Sequence, residues 1–165
     1  MSFGVTENTL RYLTGIPMVG DYGVWGYFQS IDSKANDQFK QKFYTKYGEG
    51  RAIDDPMEAT YVGVYLWAQA VRDAGSFSTS VVVENLINQS YTGPSGLIYV
   101  DPIAGNYRPV RIGRIESEKE FKIIWNSEIS VVPVQYAIFR TAKEWDDLIK
   151  EHYKKWGNQW FRGKE

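Results

Sequence analysis

The sequence predicts an α/β fold: strand–helix alternation, then a β-hairpin, then a C-terminal helix. Three observations carry that expectation. Apolar residues recur at helical spacing as far as Ile87 and switch to alternation after Gly93. Helix boundaries are written at Thr6 and Gly15, at Asp54-Asp55-Pro56 and Gly75, and at Thr141 and Gly157. A chain of 165 residues with 43% hydrophobic content is long and apolar enough to bury a core.

The elements follow in order. Ser2-Phe3-Gly4-Val5 reads as a short strand, and Thr6 as the N-cap of a helix that carries Leu10 and Leu13 and ends at Gly15. The aromatic run from Tyr22 to Phe28 is a strand signal weakened by Gly23 and Gly26, which permit close backbone approach. Asp32 or Ser33 caps a helix with Ala35, Phe39, Phe43 and Tyr47 on one stripe, closed by Gly48. Asp55 is the expected N-cap of the next helix, with Pro56 at its first position, Glu58 closing a capping box, and Asp54 a solvated neighbour. This helix, from Pro56 to about Ala74, is apolar nearly all round and so calls for cover on several sides. Ser78 or Thr79 opens a shorter helix through Val82, Val83, Leu86 and Ile87.

Beyond it, Gly93-Pro94-Ser95-Gly96 is a turn and Leu97–Val100 a strand, followed by a turn-rich stretch from Asp101 to Tyr107. Val110 and Ile112 alternate with Arg111, and the slip at Gly113 suggests a bulge. Phe121, Ile123 and Trp125 complete an antiparallel hairpin across the polar turn from Glu116 to Lys119. Residues Ile129–Arg140 read as extended or irregular. Thr141 and Glu144 form a second capping box, opening a helix with Trp145, Leu148, Ile149, Tyr153 and Trp156 on one side. A polar tail from Asn158 to Glu165 holds Trp160 and Phe161.

Composition excludes several functions. With 19 basic and 20 acidic side chains and no basic stripe, nothing supports nucleic-acid binding. The absence of Cys rules out disulfides, thiolate metal sites and cysteine nucleophiles, and a single His, His152, argues against a polyhistidine metal site or a triad. Neither a secretory signal nor a membrane-length apolar run is present in the sequence. The outlier is aromatic content: 12 Tyr, 8 Phe and 6 Trp, which suit a core, an interface or a ligand cleft.

Four stretches taken in order carry a resemblance. They are Ser2-Phe-Gly-Val-Thr-Glu7; Tyr27-Phe-Gln-Ser-Ile-Asp32; Asp54-Asp-Pro-Met-Glu-Ala59 running into Tyr61-Val-Gly-Val-Tyr-Leu-Trp67; and Pro109-Val-Arg-Ile-Gly113 before Phe121-Lys-Ile-Ile-Trp125. This series closely resembles the C-terminal part of the urea and short-chain-amide binding proteins of ABC transporters. Those proteins belong to the type I periplasmic binding-protein superfamily, which also holds a cytoplasmic amide sensor. The similarity covers nearly the whole chain and loosens after about Ile129.

The resemblance implies a partial type I periplasmic-binding-protein fold: residues 1–165 as the C-terminal portion of a two-lobed domain, with about 1–128 an α/β part with its hairpin and about 129–165 an extended segment and helix. It implies a non-catalytic solute-binding protein for urea or short-chain amides, with a small polar ligand between two lobes, an ABC-transporter permease as partner, and no cofactor or metal. The alternative is a cytoplasmic amide-sensing regulatory or assembly module of the same fold. The parent of the first kind is periplasmic or extracellular; without a signal peptide in this chain, the cytoplasmic alternative stays open. The family's second-lobe ligand contact falls on Gly4, Val5 and Thr6, where relatives carry a hydroxyl at the position of Gly4, leaving only backbone groups there. Trp25 and Tyr27 match the segment near the hinge. Glu58 matches a family acid at a helix start, where capping and cleft duty remain alternatives. The apolar helix from Pro56 to Ala74 further predicts self-association of the chain, or a partner covering it.

Overall fold

Residues 1–13, 15–102, 105–134 and 137–160 are described by a computed structural model. Phe161 and the rest of the tail, and the middle of the Asp101–Tyr107 stretch, lie outside the described residues. The chain divides into two units, Met1–Val132 and Pro133–Glu165.

In the first unit, the opening segment forms no extended strand. Ser2 makes a single parallel bridge to Gly23, and its hydroxyl accepts the Gly4 N–H at 3.1 Å. That local bond turns the backbone away after one rung, which is why the expected strand from Ser2 to Val5 is cut short. Thr6 then caps α1 (Glu7–Tyr12), its hydroxyl accepting the Thr9 N–H. Strand β1 (Tyr22–Trp25) stops at Gly26, where a Cβ would overlap the Arg108 guanidinium. Ser33 caps α2 (Lys34–Tyr47), and Gly48, at φ +86°, ends it.

Helix α3 (Asp55–Ala74) is capped by Asp54, which accepts the Met57 N–H, and is stopped by Gly75 in the left-handed region. The expected cap at Asp55, with a box closed by Glu58, is therefore corrected: both side chains are drawn to distant partners instead. Val62, Leu66 and Ala70 bury one face of α3, while Val64, Tyr65 and Trp67 remain 40–59% exposed on the other. Helix α4 (Thr79–Leu86) packs on α3.

Two antiparallel three-stranded sheets complete the unit. One has the order β2 (Ser90–Gly93), β3 (Gly96–Asp101), β4 (Gly105–Tyr107); the other runs β1, β5 (Arg111–Ser117), β6 (Glu120–Asn126). The register slips between Ile112 and Gly113, the expected bulge. A side chain could not fit there, since a Cβ on Gly113 would lie 2.7 Å from Phe28 Cζ. Three apolar clusters hold these layers: Leu10, Phe28, Ile115 and Phe121; Tyr27, Ile31, Phe39 and Ile53; and Val62, Leu66 and Ile98.

In the second unit, α5 (Ala142–Lys155) starts on the capping box, with Thr141 and Glu144 bonded reciprocally. None of its residues is buried.

Candidate functional site

The start of α3 is the centre of a buried polar knot. Asp55 accepts the Tyr27 N–H at 2.8 Å and the Arg108 Nη2 at 2.8 Å. Glu58, fully buried, accepts the Ser95 hydroxyl at 2.7 Å and the Ser95 N–H at 3.2 Å on one oxygen, and Arg108 Nη2 at 3.3 Å on the other. Arg111, also buried, donates to the carbonyls of Gly26 and Ser95. Asp54 accepts from Thr6 Oγ1 at 3.1 Å and Asn8 Nδ2 at 3.0 Å, joining α1 to α3. Glu7 Oε1 accepts the Gln29 N–H at 2.9 Å, while its other oxygen is buried without a partner among the described residues.

Burial sets the charge states. Removal from water raises the Glu58 pKa, and the Ser95 hydrogen bonds and Arg108 pull it only part of the way back. The same cost lowers Arg111, opposed by the attraction of Glu58. Glu7 is pushed up to about 7 by burial, against the lowering effect of the Gln29 N–H, with Asp54 and Asp55 adding repulsion.

The expected site residues fall into two groups. Gly4, Val5, Thr6 and Trp25 lie together at the turn before α1: Trp25 Nε1 donates to the Val5 carbonyl at 2.8 Å, and Thr6 is buried as the cap. Gly4 is exposed, with nothing within 4 Å of where a Cβ would stand. Tyr27 and Glu58 belong to the knot. The Tyr27 ring is fully buried, edge-on to Phe39, with its hydroxyl donating to Asn36 Oδ1 at 2.8 Å. The turn therefore presents open backbone, and the knot holds the segments on which it rests.

Sequence reasoning missed Glu7, Ser95, Arg108 and Arg111. For Arg111 the signal was present but misassigned. The alternation of Val110 and Ile112 with Arg111 is present in the sequence, but it is Arg111, Gly113 and Ile115 that share the buried face of β5. Among the described residues, no group of three or more His, Cys, Asp or Glu side chains is arranged to hold a metal ion.

A family profile described as a periplasmic binding protein domain matches residues 1–142. Among solved structures, the chain is similar to an ABC-transporter solute-binding protein from R. palustris in complex with 4-hydroxybenzoate, at 20% identity and TM-score 0.65, over 83% of this chain and 38% of that one. It is similar to another from R. palustris, in complex with benzoate, at 14% identity and TM-score 0.64, over 78% and 36%. A leucine-, isoleucine-, valine-, threonine- and alanine-binding protein from Brucella ovis, in a closed conformation, matches at 15% identity and TM-score 0.60, over 73% and 34%. A curated relative, the limonene hydroxylase of Geobacillus stearothermophilus, is 33% identical over 109 residues, which are 66% of this chain and 20% of the relative. The chain thus spans about a fifth of that relative and about a third of the solved chains. Its fold, mixed α/β, matches part of the type I periplasmic-binding-protein fold.

Proposed function

Because the chain belongs to the periplasmic binding protein domain family, we propose that it forms part of a non-catalytic solute-binding protein for urea or a short-chain amide. The turn at Gly4, Val5 and Thr6 faces the ligand with backbone groups, and Trp25 steadies it through the Val5 carbonyl. Tyr27 and Glu58 act from behind, by holding the segments on which the turn rests. The observation that carries this reading is the open space at Gly4, set between a one-rung bridge and a capped helix. Open α/β folds bind ligands at such turns.

The parent is periplasmic, closes around its ligand and delivers it to an ABC-transporter permease. Benzoates and small neutral amino acids (leucine, isoleucine, valine, threonine and alanine), named for the solved neighbours, are the competing ligand classes. The hydroxylase name is not carried over, because the chain corresponds to only a fifth of that relative. Calorimetric titration of the full-length parent with urea, acetamide, benzoate and leucine tests the assignment. Heat with urea or acetamide supports it; heat with benzoate or leucine alone, or no heat with any, overturns it.

In the isolated chain, the apolar face of α3 at Val64, Tyr65 and Trp67 drives self-association. Light scattering should show oligomers at micromolar concentration, and a monodisperse monomer would contradict this.

A further inference from the structure

A cavity of about 590 Å³ is lined by residues of α1, the loop after α2 and the start of α3, and by none of the Gly4 turn's own residues. Asn8, Arg11 and Tyr12 of α1 form one wall; Arg51 of the loop after α2 and Met57 of α3 form the other. Two arginines therefore line one space, and no acidic residue among those described lines it.

Neither arginine is neutralised by an acid. Arg11 Nη1 donates to the Gly50 carbonyl, while its Nε is buried with no partner among the described residues. The Arg51 guanidinium has no ion pair or hydrogen bond among the described residues. Asp54, whose donors Asn8 and Met57 line the cavity, makes no ion pair with either arginine among the described residues and accepts from Thr6, Asn8 and the Met57 N–H. Two cations thus line one cavity that has no acid among its lining residues, and the planar fork of Arg fits the paired oxygens of a carboxylate or phosphate.

We propose that this cavity is a binding site for a small oxyanion, a carboxylate or phosphate, held between Arg11 and Arg51. The site is separate from the proposed amide site and does not rest on that assignment.

Amide-resolved NMR titration of the 165-residue chain at low ionic strength, with acetate and separately with inorganic phosphate, tests it. Saturable shifts centred on Asn8, Arg51 and Ala52 are expected with at least one of the two, and the tighter of them identifies the ligand chemistry. Arg51→Gln, at an exposed side chain with no internal partner, should weaken binding about tenfold with an unchanged unfolding midpoint. Arg72→Gln, on the exposed last turn of α3, should leave binding unchanged. No saturable shift with either anion, or equal weakening by the two substitutions, overturns the proposal.

Discussion

Helices α3 and α5 both begin with an oxygen-bearing cap and a nearby glutamate, yet the two starts behave differently. At α5, Thr141 and Glu144 satisfy each other and nothing else, in full contact with solvent. At α3, Asp54 caps alone, while Asp55 and Glu58 are withdrawn from the cap to bind Tyr27, Ser95 and Arg108. One local signal thus yields a self-contained stop in one region and a tertiary junction in the other. What separates them is burial: a buried carboxylate must find partners wherever the fold supplies them, whereas an exposed one is served by water.

The contrast can be broken most strongly at Glu58. Glu58→Ala removes the chief counter-charge of buried Arg111, leaves Arg108 with Asp55 alone and orphans the Ser95 hydroxyl, and should cost about 3–5 kcal/mol. That is a large share of a domain's total stability, and urea denaturation would measure it. A loss no greater than that of a surface substitution would show that the knot does not hold the fold.

Glu7 gives the next effect. In the unfolded chain it releases its proton near 4.5, and in the folded chain near 7. Between those values the folded state holds more protons, so stability falls as pH rises from 4.5 to 7 and levels off above that. The total swing is about 3 kcal/mol, and Glu7→Gln should abolish it. Unfolding midpoints measured across this range in both proteins would decide; identical pH profiles would contradict the buried, unpaired carboxyl.

The smallest effect belongs to α5. Glu144→Gln should leave the global unfolding midpoint of the chain unchanged and only speed amide exchange in the first turn. A shift of the global midpoint would mean that this capping box is tied into the rest of the protein.

The same contrast explains what could be read from the sequence. The caps at Thr6 and Thr141, the start of α2 to within Asp32 or Ser33, and the stops at Gly48, Gly75 and Gly157 were legible because each is decided within a few residues. The knot was not. Asp55 meets Tyr27 and Arg108 across 28 and 53 residues, and no period encodes such a pairing. Strands β2 and β4 also escaped, since four and three residues are too few to show an alternation, and both exist as partners of β3. Of the candidate site, the resemblance set Gly4, Val5 and Thr6 together at one turn but matched Trp25 to the hinge segment, and its bond to the Val5 carbonyl, 20 residues away, has no local signal. The burial of Tyr27 and Glu58 was not, because it depends on residues arriving from Asn36, Ser95 and Arg108.

In the proposed function the turn meets the ligand while the knot only supports it. Urea binding by the full-length parent carrying Gly4→Val, measured by calorimetry beside its unfolding midpoint, tests this most directly. A side chain at Gly4 meets nothing in the fold, so the midpoint should hold while affinity falls at least about tenfold as the new side chain fills the ligand's space. Unchanged affinity with an unchanged midpoint would contradict the account.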